Sequence, residues 1–321
     1  MALLDVRNLT VEYHTEAGIF RAVEDLTFQL EAGHTLGLVG ESGCGKTTAM
    51  LALMRLLPEA GRIVDGEVLY GGKDLLRISV QELRDIRWHR ISMIFQGAMN
   101  ALNPTRTIGS QIAEAMQIHN LGSMKDVQAE ISRLLDLVGI APQRASQYPH
   151  EYSGGMRQRA MIAMALACKP DLVIADEPTT ALDVMVQAQI LDLLQNLQHE
   201  MDISVIFVTH DLGVVAELCD DVMVMYGGWL AEHASADTIF NHPMHPYTQR
   251  LMGAFPDIDN PRAELASIPG HPPPLNNLPA GCRFEPRCHK SIDACATTIP
   301  EIRHLAPNHV ARCLRLEAYD Q

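Results

Sequence analysis

The 321-residue sequence contains no long hydrophobic run. Its best apolar stretch is Ala160 to Cys168, nine residues closed off by Arg159 and Lys169. A membrane-spanning helix needs about 20 mostly apolar residues, so no segment is expected to cross a bilayer. The opening MALLDVRNLT has no basic stretch leading into an apolar core of the secretory kind. These absences predict a chain that stays in the cytoplasm and does any membrane work through a membrane partner. Positive charge is also short: 25 Lys and Arg against 39 Asp and Glu give a net charge of −14. A chain that grips nucleic acid through phosphates is usually basic, so that class of function is disfavoured. There is no internal repeat and no long heptad segment. The seven cysteines include no C-x₂₋₄-C pair of the sort that holds structural zinc.

A hydrophobic content of 47% with 20% charged residues is that of an ordinary globular protein. The length suits about two domains of roughly 150 residues. Residues LLDVRNLTVEYH and AVEDLTFQL alternate apolar and polar positions, which predicts half-buried antiparallel strands. Thr35 to Val39 reads as a buried strand; a glycine-rich turn follows, then a helix TTAMLALMRLLP expected to stop at Pro58. GEVLYGGKDLL reads as a hairpin, and residues from about 97 to 149 carry helical spacing. DLVIAD and SVIFVTH are two more buried strands, separated by the helix VMVQAQILDLLQNLQHE. The alternation predicts an α/β core with a mainly parallel sheet and an inserted helical region. After about Asn241, Pro and His become frequent, which favours an irregular wrapped tail.

Gly40-Glu41-Ser42-Gly43-Cys44-Gly45-Lys46-Thr47 fits G-x-x-x-x-G-K-[ST] in the required strand–turn–helix setting. Its glycines let the backbone wrap a polyphosphate, Lys46 should reach the β- and γ-phosphates, and the Thr47 hydroxyl should bind Mg²⁺. Thr48 continues the helix start, and Cys44 reads as a spacer. Asp176 and Glu177 close an apolar strand, where one carboxylate can hold Mg²⁺ and its neighbour can polarise a water. His210 follows the next strand and can position that water. Cys282, Cys288, Cys295 and Cys313 are separated by five, six and seventeen residues. Zinc fits this spacing poorly; iron–sulfur clusters accept more varied spacing, and zinc or free or disulfide-linked thiols remain open.

Between the loop and the Asp-Glu pair stands Tyr152-Ser153-Gly154-Gly155-Met156-Arg157-Gln158. It resembles the LSGGQ signature of ATP-binding-cassette (ABC) ATPases, with Tyr for Leu and Met for Gln. Ile94-Phe95-Gln96 is similar to the Q-loop, Ala181-Leu182-Asp183 to the D-loop and Thr209-His210-Asp211 to the switch histidine. The resemblance runs from Leu3 to about Glu232. It implies a P-loop NTPase cassette over residues 1–240, with an antiparallel β subdomain and a helical subdomain at about 97–160. It also implies a head-to-tail cassette dimer in which Ser153 and Gly155 touch the γ-phosphate bound by the partner. By the same resemblance Gln96 ligates Mg²⁺ or the water, Glu177 is the general base, and Tyr13 stacks on adenine.

Gln96-Gly97-Ala98-Met99-Asn100-Ala101-Leu102-Asn103-Pro104 and His245-Pro246-Tyr247-Thr248 resemble elements of the oligopeptide/dipeptide transporter ATPases. That resemblance implies a Cys-rich C-terminal extension over 241–321. Gly281-Cys282-Arg283-Phe284-Glu285-Pro286-Arg287-Cys288 is similar to the Cys-rich end of those ATPases, some of which hold a 4Fe–4S cluster. A 4Fe–4S site on Cys282, Cys288, Cys295 and Cys313 is therefore implied as a structural or regulatory clasp. Leu314 departs from the aromatic or histidine common there. The implied partners are a second, similar ABC ATPase forming a heterodimer (or a homodimer), two membrane permeases and an extracytoplasmic substrate-binding protein. The chain would sit peripherally at the cytoplasmic face, with no nucleic acid bound. Two rival readings are a soluble ABC ATPase acting on nucleic acid or ribosomes, and a regulatory iron–sulfur module. The transported substrate (peptide, nickel, oligosaccharide or glutathione) is not written in this chain.

Overall fold

The computed structural model describes residues 2–16, 18–97, 101–180, 182–254 and 268–316. The chain forms two compact units, Met1–Leu30 with Thr35–Leu76 and Val208–Gln321, and Glu31–His34 with Arg77–Phe207.

The first unit contains β1 (Leu4–Thr15), β2 (Gly18–Leu30), β3 (Thr35–Val39), α1 (Lys46–Leu53), β4 (Gly61–Tyr70) and β5 (Lys73–Asp74). Strands run in the order β2-β1-β4-β5 in an antiparallel sheet, with Leu4 opposite Leu30 and Thr15 opposite Gly18. The alternation in β1 resolves as a buried set, Leu4, Val6, Leu9 and Val11, all withdrawn from water. Gly71 and Gly72, at φ 53° and 82°, make the two-residue turn into β5, a geometry only glycine adopts without strain. Helix α1 ends at Leu53, five residues short of Pro58, and Arg55 takes a left-handed conformation at φ 50°.

Further along lie α7 (Leu212–Leu218), β9 (Asp221–Tyr226), β10 (Trp229–Ser235), α8 (Ala236–Asn241), α9 (Pro246–Gly253), β11 (Arg303–Ala306) and β12 (His309–Ala311). Within this unit the strand order is β11-β12-β10-β9-β3. β3 and β9 are parallel, whereas β9, β10, β12 and β11 pair antiparallel. The sheet is thus mixed rather than mainly parallel. The Pro- and His-rich segment is less irregular than its composition predicts. Pro246 opens a helix, where its missing N–H costs nothing, and β11 and β12 extend the sheet beyond β10. α7 lies so close over β3 that a Cβ on Gly37 would meet Val215 Cγ1 at 2.5 Å.

The second unit contains α2 (Val80–Ile86), β6 (Ile91–Ile94), α3 (Ile108–Ile118), α4 (Met124–Leu137), α5 (Gly154–Leu166), β7 (Leu172–Asp176), α6 (Val184–Met201) and β8 (Ser204–Val208). Its strands lie in the order β8-β7-β6, and β6 and β7 are parallel. Every residue of β7 and β8 is buried, which is why both read as unbroken apolar runs. Reciprocal capping boxes, Ser79 with Glu82 and Ser123 with Asp126, start α2 and α4.

Near the start of α9, the buried carboxylate of Glu232 accepts the N–H groups of Met244 (2.7 Å) and His245 (2.9 Å) and meets His309 Nε2 at 2.7 Å. His245 caps the helix: its Nδ1 accepts the Tyr247 N–H at 3.0 Å. That role needs a neutral ring. Burial pushes the His245 imidazole from 6.5 down to about 4, against the opposing pull of Glu232. The unfolded chain takes up this proton at the ordinary histidine pKa, and the folded chain only near 4. Stability is therefore lost as pH falls from about 6.5 toward 4. A pH series of thermal melts should show this decline, and His245→Asn, whose Oδ1 keeps the cap, should show a smaller one. An equal acid-side decline in both proteins contradicts the assignment.

Candidate functional site: a phosphate loop and its partners

In the first unit β3 runs directly into the loop Gly40–Gly45 and α1. Gly40, Gly43 and Gly45 have φ of 150°, 79° and 104°. A Cβ on Gly40 would fall 2.2 Å from Met225 O, and one on Gly45 2.3 Å from Ala22 O, so backbone fixes both glycines. Lys46 is buried, and its ammonium donates to Gly40 O at 2.7 Å and Glu41 O at 3.2 Å. Ser42 and Gly43 stay exposed on the same loop, and Thr47 is exposed in the first turn of α1. This is a preformed cradle, with backbone wrapped around a cation at a helix N-terminus. Cys44 is 3% exposed beneath the loop, and burial pushes its thiol up. Thr48 Oγ1 lies 3.4 Å from Tyr13 OH. Tyr13 is half-buried and stacks on Phe20, with ring centroids 5.8 Å apart. His210 is exposed in the turn after β8, where Thr209 donates its N–H to Leu38 O at 3.2 Å.

In the second unit Asp176 ends β7, buried to 2% exposure. Glu177 follows in the left-handed region at φ 47°, a costly conformation for a non-glycine residue that clusters at active sites. Its Oε2 accepts Gln96 Nε2 at 2.6 Å and the Thr180 hydroxyl at 2.8 Å. Sequence reasoning missed Thr180; its place three residues beyond a candidate base was the available signal. Asp183 caps α6 through Val186 N–H at 3.0 Å. Ser153 caps α5 by accepting Met156 N–H at 3.3 Å. Gly155 lies where a Cβ would meet Val186 Cγ1 at 2.7 Å, so the approach of α5 to α6 requires glycine. Tyr152, standing where the signature has Leu, is buried and donates its OH to Arg144 O at 3.1 Å. Ala98, Met99 and Asn100 of the extended Q-loop and Ala181 of the D-loop lie outside the described residues. Within this unit Asp176 and Gln96 carry hard oxygen atoms of the kind that Mg²⁺ takes.

The cysteine cluster requires a correction. Cys282, Cys288, Cys295 and Cys313 are all free thiols, and among the described residues no group of three or more His, Cys, Asp or Glu could hold a metal ion. Burial pushes Cys282 up to about 11 and also raises Cys288 and Cys313. The expected 4Fe–4S site is not supported. Arginines anchor this region. Arg283 lies 3.8 Å over the Trp229 ring, donates to Gly227 O and pairs with Glu24. Arg312 pairs with Asp25 at 2.8 Å.

A glycine cradle on a buried lysine, an Asp-Glu strand end and an SGG helix start define an ATP-binding-cassette ATPase. Residues 23–180 match the ABC transporter family, and residues 231–295 match the oligopeptide/dipeptide transporter C-terminal region. The chain is 52% identical to the oligopeptide transport ATP-binding protein of Haemophilus influenzae, covering 91% of each sequence. It is 48% identical to the dipeptide transport ATP-binding protein of Bacillus subtilis, covering 97% of this chain and 94% of that one. A solved post-hydrolysis dimer of the ATP-binding cassette MJ0796, bound to ADP and Pi, superposes with TM-score 0.66 at 26% identity, over 73% of this chain and 98% of that one. The chain belongs to the oligopeptide/dipeptide transporter family of ABC ATP-binding proteins.

Gly40→Ala should abolish measurable ATP binding and lower the melting temperature by about 5 °C or more, because the added methyl displaces either the loop or β9. Calorimetric titration with a melt on the same sample checks this; normal affinity contradicts the cradle.

Proposed function

We propose that this chain hydrolyses ATP to power uptake of di- or oligopeptides through an ABC importer at the cytoplasmic face of the cell membrane. The observation that carries the reading is the paired match: an ABC region followed by the C-terminal region of peptide transporters, with His245-Pro246-Tyr247 in the second. Relatives named for oligopeptide and dipeptide transport align over nearly the whole length. No helix among the described residues is long and apolar enough to cross a membrane, so two permease subunits supply the path. An extracytoplasmic binding protein delivers substrate, and a second ABC ATPase completes the pair, as a heterodimer. In this reading 1–240 is the cassette, with its helical subdomain at about 97–160, and 241–321 is the extension.

Residue roles follow the chemistry of each group. The loop N–H groups from Ser42 to Thr48 and the Lys46 ammonium hold the β- and γ-phosphates, and Tyr13 carries the adenine. Thr47, Asp176 and Gln96 would hold Mg²⁺, which would neutralise charge on the phosphates. Glu177 takes the proton of the attacking water, and His210 orients that water. Ser153, Gly155 and Asp183 serve the nucleotide of the partner cassette. Two donors on one oxygen, from Gln96 and Thr180, hold the Glu177 carboxylate in place.

Glu177→Gln in the assembled importer should still bind ATP. ATP hydrolysis and uptake of a labelled tripeptide should fall together, by about 10²–10⁴-fold. Undiminished hydrolysis refutes the role of Glu177. Hydrolysis that stops while tripeptide uptake continues refutes the transport reading.

A further inference from the structure

Glu41 is an acid placed inside a loop whose task is to bind a polyphosphate. An uncompensated carboxylate there repels the ligand. All three functional groups of this residue are occupied in the first unit. Its carbonyl accepts the Lys46 ammonium at 3.2 Å. Its N–H donates to Tyr247 OH at 3.1 Å. Its two carboxylate oxygens accept Arg287 Nη1 at 2.5 Å and Nη2 at 2.9 Å, a fork-to-fork pair.

Both partners are themselves fixed. Tyr247 is fully buried and packs against Tyr226 and Phe284, with centroids 4.6 and 5.3 Å away. Arg287 fills its guanidinium fork: Nε donates to Pro269 O at 2.8 Å, Nη1 also to Tyr226 OH at 3.2 Å, and Nη2 also to Gly270 O at 3.3 Å. Such a guanidinium cannot swing to another partner without breaking several bonds. Tyr247 belongs to the HPYT element at the start of α9, and Arg287 lies in the turn between Cys282 and Cys288.

We propose that Tyr247 and Arg287 are positioning residues for ATP binding: the C-terminal segment fixes the phosphate loop through Glu41 and cancels that residue's charge. This rests on the reading that the Lys46 loop binds ATP. It gives the C-terminal segment a part in the nucleotide site, through hydrogen bonds and charge.

The test is Mg-ATP binding to the full chain, with hydrogen exchange of the loop amides and circular dichroism on each sample. Arg287→Ala strands a carboxylate by the phosphates and should weaken ATP binding about tenfold. The rate at saturating ATP in the assembled importer should stay within about twofold, since neither residue touches the reacting atoms. Adding Glu41→Gln to Arg287→Ala removes the stranded charge and should restore part of the lost affinity, a gain that a merely structural ion pair does not give. Arg287→Lys keeps the charge without the fork and should fall between wild type and Arg287→Ala. Tyr247→Phe keeps the buried ring and should cost about threefold, with faster exchange at the Glu41 amide. If Arg287→Ala does not fold, Arg287→Lys and Tyr247→Phe decide the matter by the same readout. Wild-type affinity in the folded variants, or a double variant weaker than Arg287→Ala, overturns the proposal. Lys46→Ala is the control: wild-type ATP binding by that variant overturns the loop reading itself.

Discussion

The buried ammonium of Lys46 is the group around which the nucleotide chemistry is organised. An ammonium withdrawn from water must find acceptors, and here they are the carbonyls of Gly40 and Glu41. Those carbonyls face inward only because the loop glycines adopt conformations closed to other residues. The closeness of Met225 O and Ala22 O then excludes any side chain at Gly40 or Gly45. The strand, the loop and the helix start are therefore one unit, folded around a cation and open to an anion.

Charge explains more of the molecule than its net value does. The excess of acid belongs mostly to the N-terminal and central parts, and arginines of the C-terminal segment answer specific members of it: Arg283 pairs with Glu24, Arg312 with Asp25 and Arg287 with Glu41. Two of these guanidinium groups also lie over Trp229. The guanidinium groups are buried while their acid partners stay partly exposed, so removing an acid strips a buried charge of its partner. The segment is thus committed to one docked arrangement.

Much of this was legible in the sequence. Period-2 alternation marked β1 and β2, apolar runs marked β3, β7 and β8, and the glycine spacing marked the phosphate loop, because each pattern follows from local backbone geometry. The C-terminal strands were not legible. RHLA and HVA are too short to show a period, and they are strands only because β10 offers a free edge. The left-handed backbone of Glu177 leaves no sequence trace. Arg287 read as one charge in a cysteine-rich phrase, because its significance lies in a partner 246 positions away. The same phrase led the metal reading astray. Spacing can gather four cysteines in sequence, but ligation depends on three-dimensional geometry, and among the described residues no such group is placed to hold a metal ion.

The central claim is that the loop is already shaped for a polyphosphate and that Lys46 exchanges carbonyl partners for phosphate oxygens. A structure of the full chain with Mg²⁺ and a slowly hydrolysed ATP analogue tests this most directly. The account predicts the loop backbone unchanged from Gly40 to Lys46, with the Lys46 ammonium moved onto the β- and γ-phosphates. Nucleotide bound elsewhere, or bound with Lys46 still on the Gly40 and Glu41 carbonyls, contradicts it.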